Sequence, residues 1–118
     1  MKRPEDFTGV YIHRERVDMR KGINGLAEVV DAAGMGELQG ANLFIFSGRG
    51  KHTIKVLYWD RSGFALWMKR LEAANFPWPK RHEDSVVKLT PEQFSWLLDG
   101  YDVWKVKPFE KVSFTQLC

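Results

Sequence analysis

Residues 42–71, NLFIFSGRGKHTIKVLYWDRSGFALWMKRL, constrain the fold more than any other part of the chain. Two β-branched and aromatic runs, 43–46 and 53–59, flank Ser47-Gly48-Arg49-Gly50-Lys51-His52, and its glycines can take the positive φ values a reversal needs. This pattern predicts a β-hairpin. A second turn signal, Asp60-Arg61-Ser62-Gly63, launches Phe64-Ala65-Leu66-Trp67-Met68, so a three-stranded antiparallel meander is the economical arrangement. Ile54, Val56 and Tyr58 face one way and Lys55, Leu57 and Trp59 the other. Large apolar groups on both faces call for cover on both: helices over one, and aromatic residues, a loop or a partner over part of the other.

The flanking segments supply that cover. Ile23, Leu26, Ala27 and Val30 follow a helical stripe that opens at Asp18-Met19-Arg20-Lys21, with Asp18 as N-cap and Gly34 as stop. Gly22 and Gly25 weaken this helix by about 1 kcal/mol each relative to alanine. Close packing of the first turn on the sheet, or backbone approach to a phosphate, would account for them. A second helix carries fuller punctuation: Thr90 as N-cap, Pro91 at the first position, Gln93 completing a capping box, and Gly100 as stop. Phe94, Leu97, Leu98 and Tyr101 form its apolar stripe.

Between and around these helices lie shorter extended segments. Val10-Tyr11-Ile12 reads as a strand or sheet-edge segment. Asn75-Phe76-Pro77-Trp78-Pro79 is extended by its prolines and anchored by Phe76 and Trp78. Residues 80–84 form a polar loop, and Trp104-Lys105-Val106-Lys107 alternates like a short edge strand ended by Pro108. For 64–75 a helical stripe competes, but the preceding turn and the aromatic content favour strand to about Leu71.

The fold class that results is α+β: one small domain over residues 1–118, a central antiparallel β-meander packed by two helices. Its core spans about 7–107 and is followed by a tail, 109–118. With 44% hydrophobic and 14% aromatic residues the composition is that of a folded globule. The formal charge is +3 and the pI near 9.1, a basic bias that permits nucleic-acid binding without demanding it. The one cysteine, Cys118, excludes an internal disulfide and a cysteine metal cluster. The N-terminal residues lack a signal-peptide core and no apolar run reaches a membrane span, so a cytoplasmic protein without membrane attachment is expected.

The chemistry-bearing residues point to binding rather than catalysis. Asp18, Asp60 and Glu72 are the acids of the central region. Capping explains the first, a turn the second and a surface ion pair the third, which leaves no metal site. His13, His52 and His82 have no ligand spacing, and Cys118 has no positioned base. Gly48-Arg49-Gly50-Lys51 is too short for a phosphate-cradling P-loop and precedes a strand. No cofactor is implied. The signal with physical content is the basic hairpin: Arg49, Lys51 and Lys55, with His52 as a conditional donor, surround backbone N–H groups in a loop that can follow a phosphate backbone. Arg20, Lys21, Lys69 and Arg70 extend this surface if the first helix starts beside the meander. Tyr58, Trp59 and Trp67 are better read as core than as base-stacking platforms.

The order of short motifs also resembles a known family. Val17-Asp18-Met19-Arg20-Lys21-Gly22 with Gly25-Leu26, Leu43-Phe44-Ile45-Phe46-Ser47-Gly48-Arg49, and Ile54-Lys55-Val56-Leu57-Tyr58-Trp59-Asp60 come first. Gly63-Phe64, Lys69-Arg70-Leu71-Glu72, Phe76 with Trp78-Pro79, and Leu89-Thr90 with Gln93, Leu97-Leu98 and Gly100 follow. Over residues 10–101 this is similar to the TnpB-type accessory proteins of transposons of the insertion sequence 66 type, which are distinct from the RNA-guided nuclease of the same name. Ala73-Ala74 stands where that family often has a glycine-containing turn. The resemblance implies a part in DNA transposition, which the residues above make a non-catalytic one; transposon-end DNA, the transposase and other accessory proteins of the element are the expected partners, and a homo-oligomer is compatible with it. It leaves two modes of action open: DNA binding through the hairpin, or docking on the transposase through an apolar sheet face and the tail residues Phe109, Val112, Phe114 and Leu117, without DNA contact.

Overall fold

The two apolar runs and the segment after them form the expected meander, but the sheet they belong to is larger. The computed structural model describes residues 6–80, 84–101 and 103. Its strands are β1 (Gly9–His13), β2 (Asn42–Ser47), β3 (Thr53–Asp60), β4 (Gly63–Arg70) and β5 (Val86–Leu89), and its helices are α1 (Ile23–Ala33) and α2 (Pro91–Leu98). They build one mixed sheet in the order β4-β3-β2-β1-β5. β2, β3 and β4 pair antiparallel, as the turn signals predict, whereas β1 runs parallel to β2 with Val10 opposite Leu43. A parallel pair needs a long crossover, and α1 lies within it.

Both sheet faces are covered, one helix on each. On one side Phe44, Phe46 and Leu57 pack with Leu26 and Val30 of α1 and with Met35. On the other, Val10, Ile12, Leu43, Ile45, Ile54, Val56 and Tyr58 pack against Phe94 and Leu97 of α2, against Phe7, and against Phe76 from the proline-rich segment. The alternation expected along β3 is therefore observed. Tyr58 sits edge-on to Phe7 within this core, and burial, with Asp60 adding to it, pushes its phenol above the ordinary value.

Several local expectations are corrected. α1 begins at Ile23, with Gly22 in extended conformation as its N-cap and no side-chain cap. Asp18 is not that cap because its carboxylate is already engaged, accepting hydrogen bonds from the Arg20 backbone N–H (2.9 Å) and guanidinium (2.7 Å). Nor do Gly22 and Gly25 permit close sheet packing: a Cβ at Gly22 would meet nothing within 4 Å, and one at Gly25 only the Lys21 side chain. β1 is an internal strand, since β5 adds antiparallel to its far side. Tyr101 leaves the α2 stripe and is 57% exposed, because Gly100 turns the chain away at φ 91°. The capping box at Thr90, the αL stop at Gly34 and the end of β4 near Leu71 match the sequence reading. The strand expected at 104–107 and the tail 109–118 lie outside the described residues, as do 81–83 of the polar loop. Among the described residues no helix is long and apolar enough to cross a membrane.

Candidate nucleic-acid interface

The hairpin turn owes its shape to residues other than those the sequence suggests. Positive φ falls on Lys51 (58°), and in the next turn on Arg61 (56°), not on Gly48, Gly50 or Gly63. Glycine leaves room at 48 and 50: an added Cβ would lie 2.5 Å from Met19 Cγ at Gly48 and 2.5 Å from His52 Cδ2 at Gly50, so the neighbouring side chain would have to shift. The β1–α1 loop thus lies directly on the hairpin, and Val17 N–H donates to Ser47 O at 3.0 Å. Buried Ser47 closes the hairpin from inside by donating to Thr53 O at 3.1 Å.

A second segment is stitched to the same turn. Phe76 N–H donates to Lys51 O (2.7 Å), Leu71 N–H to His52 O (2.8 Å), and His52 Nδ1 lies 3.3 Å from Ala74 O. Trp78 Nε1–H then donates to Arg14 O at 2.7 Å, joining the proline-rich segment to the end of β1. One end of the sheet thereby gathers the β1–α1 loop, the hairpin turn and the segment after β4.

The cations there divide into committed and free groups. Lys55 Nζ donates to Met19 O (2.6 Å) and Lys21 O (2.9 Å), bracing the approach to α1. Lys69 Nζ projects from the opposite face and donates to Leu98 O at the end of α2 (2.8 Å). Arg20 pairs with Asp18, and Arg70 with Glu72 at 3.1 Å, as expected for Glu72. The Arg20 guanidinium holds the Asp18 carboxyl well below the usual carboxylate range. Arg49 is exposed and has no side-chain partner among the described residues. Lys51 Nζ donates to Gly48 O at 3.2 Å and lies 5.6 Å over the Trp78 ring. Burial, reinforced by the nearby charge of Arg16, holds its pKa below the ordinary lysine value.

Three adjoining depressions connect these groups. One, of about 310 Å³, is lined by residues 48–53 with Met19, Lys55, Met68 and Arg70. The second joins Arg16 and Met19 to Gly48 and Arg49, and the third joins Arg14 and Arg16 to Lys51, Trp78 and Pro79. The fold thus brings together Arg49, Lys51, His52, Lys55 and Arg70 of the expected set, while Lys69 is directed to the other face and Arg20 and Lys21 line none of the depressions. Arg14 and Arg16 lie outside the expected set, because the alternating charge of Arg14-Glu15-Arg16 directly after β1 reads as a solvated segment. The nearby acids are Glu15, 3.6 Å from Arg14, and Asp18, held by Arg20. Among the described residues no group of His, Cys, Asp and Glu side chains is placed to hold a metal ion.

Comparison with known proteins places this arrangement in context. A family model described as IS66 Orf2 like protein matches residues 8–108. Two curated proteins from Sinorhizobium fredii are similar over most of their length. Uncharacterized protein y4hO is 38% identical over 97 residues (81% of this chain and 82% of the relative), and uncharacterized protein y4jC is 33% identical over 98 residues (83% of each). No solved structure matches.

Proposed function

Because the chain belongs to the IS66 Orf2-like family, we propose that this transposition accessory protein acts without catalysis by binding transposon-end DNA through the basic end of its sheet. The observation that carries the reading is the convergence of Arg16, Arg49 and Lys51 around adjoining depressions, whose two lining acids, Asp18 and Glu15, pair with Arg20 and Arg14. Guanidinium and ammonium groups on a rigid rim suit phosphate oxygens. His52 adds a donor, and Arg14 and Arg70 add charge around the rim. Lys55 holds the loops in place, and Lys69, on the far face, has a role at α2.

Fluorescence anisotropy on labelled terminal-repeat duplex tests this reading. Arg16→Ala with Arg49→Ala should weaken binding at least about tenfold in moderate salt while leaving the circular dichroism spectrum unchanged. Equal affinity for wild type and variant would reject the interface. Docking on the transposase is then the competing assignment, and co-purification of the two proteins in the absence of DNA would support it.

A further inference from the structure

Among the described residues β4 ends the sheet, and its edge is a receptive one. Its pairing with β3 runs without a bulge from Thr53–Arg70 to Asp60–Gly63, and residues 63–68 contain no proline or charge. Natural sheet edges are normally blunted by such features, as the other edge is: β5 has only four residues and exposes Lys88. The Leu71 N–H bond to His52 O fixes which backbone groups of β4 face inward. Hydrogen-bonded pairs alternate along an antiparallel ladder, so Gly63, Ala65, Trp67 and Lys69 bond to β3, and the N–H and C=O groups of Phe64, Leu66, Met68 and Arg70 point outward. Among the described residues no backbone hydrogen bond reaches those outward groups.

We infer that this edge pairs with β4 of a second copy, antiparallel and centred on Leu66, to make one continuous ten-stranded sheet. The side chains favour this occupant because the strand is complementary to itself in that register. Keeping like faces together requires each residue to meet one of its own face. Centring on Leu66 does so over 63–69, nearly the whole strand. Phe64 then meets Met68 of the second copy, Leu66 meets Leu66, and small Ala65 meets large Trp67. Lys69 falls opposite Gly63 and Arg70 opposite Ser62, so no like charges are apposed. Moving the centre to Ala65 would set Arg61 against Lys69, and moving it to Trp67 would set Lys69 against Ala65 and Arg70 against Phe64. The pairing also covers Met68, which is 59% exposed, and satisfies about six backbone groups on each strand. The two basic ends would then point in opposite directions along the shared sheet.

Sedimentation velocity on the full chain across a concentration series tests the pairing, and it does not depend on DNA. Wild type should show a monomer–dimer equilibrium, and Met68→Lys, at an exposed position, should weaken it by about tenfold or more with an unchanged circular dichroism spectrum. In a Cys118→Ser background, Leu66→Cys should be joined by a short bifunctional maleimide. Met68→Cys should not, because its two copies lie roughly 14 Å apart in this register. A chain that stays monomeric at high concentration, a dimer indifferent to Met68→Lys, or crosslinking at 68 in preference to 66 would each overturn the inference.

Discussion

Replacing Lys55 with methionine separates a brace from a phosphate contact at a position where the sequence alone suggests the latter. The Lys55 ammonium donates to two carbonyls, Met19 O at 2.6 Å and Lys21 O at 2.9 Å, from a partly buried site beneath the approach to α1. Methionine keeps the aliphatic stem and removes both donors. Hydrogen bonds from a charged group contribute about 1.5–3 kcal/mol each, and partial solvent access reduces this, so the loss should be about 2 kcal/mol. In urea titrations the midpoint should fall with an unchanged slope, and the melting temperature should drop by roughly 6–12 °C. Measured at a temperature where both proteins are folded, the salt dependence of DNA binding should be unaltered. Unchanged stability combined with a shallower salt slope would refute the argument and make Lys55 a phosphate ligand.

Three further substitutions address other parts of the account. Thr90→Ala removes the side-chain half of the capping box on α2 and should cost about 1 kcal/mol by urea denaturation, with DNA binding intact. Gly48→Ala forces a Cβ to within 2.5 Å of Met19 Cγ. Because methionine is flexible the cost should be near 1 kcal/mol, but the β1–α1 loop must shift, so affinity for DNA should fall as well. Asp18→Asn addresses pH. Its carboxyl is held below the ordinary value of 3.8, chiefly by the Arg20 side chain. The ion pair therefore adds stability above pH 3.8 and loses it progressively as pH falls toward the lowered value. The wild-type advantage over the variant should be constant at neutral pH and shrink in acid, and an advantage that grows in acid would contradict the assignment.

How much of this was legible in the sequence follows from the range of the interactions involved. The meander, both helix stops and the capping box rest on local patterns: β-branched runs, glycine after a stripe, and Thr-Pro-x-Gln. β5 was missed because Val86-Val87-Lys88-Leu89 is too short to show a period, and without it β1 reads as an edge. The parallel β1–β2 pair depends on a crossover that no local signal encodes. In the site, charge alone could not distinguish Lys55 and Lys69, which donate to backbone carbonyls on opposite faces, from exposed Arg49. Arg14 and Arg16 join the hairpin only through long-range contacts, Trp78 to Arg14 and Val17 to Ser47. The turn glycines were read for conformational freedom, whereas Gly48 and Gly50 leave room for Met19 and His52.

The most direct test of the DNA interface is the slope of log affinity against log salt for terminal-repeat duplex, compared between wild type and the Arg16→Ala, Arg49→Ala double variant. Each lost phosphate contact should lower the magnitude of the slope by about 0.9, so a decrease near 1.8 is expected. Parallel lines for the two proteins would contradict the claim that these side chains meet the phosphate backbone.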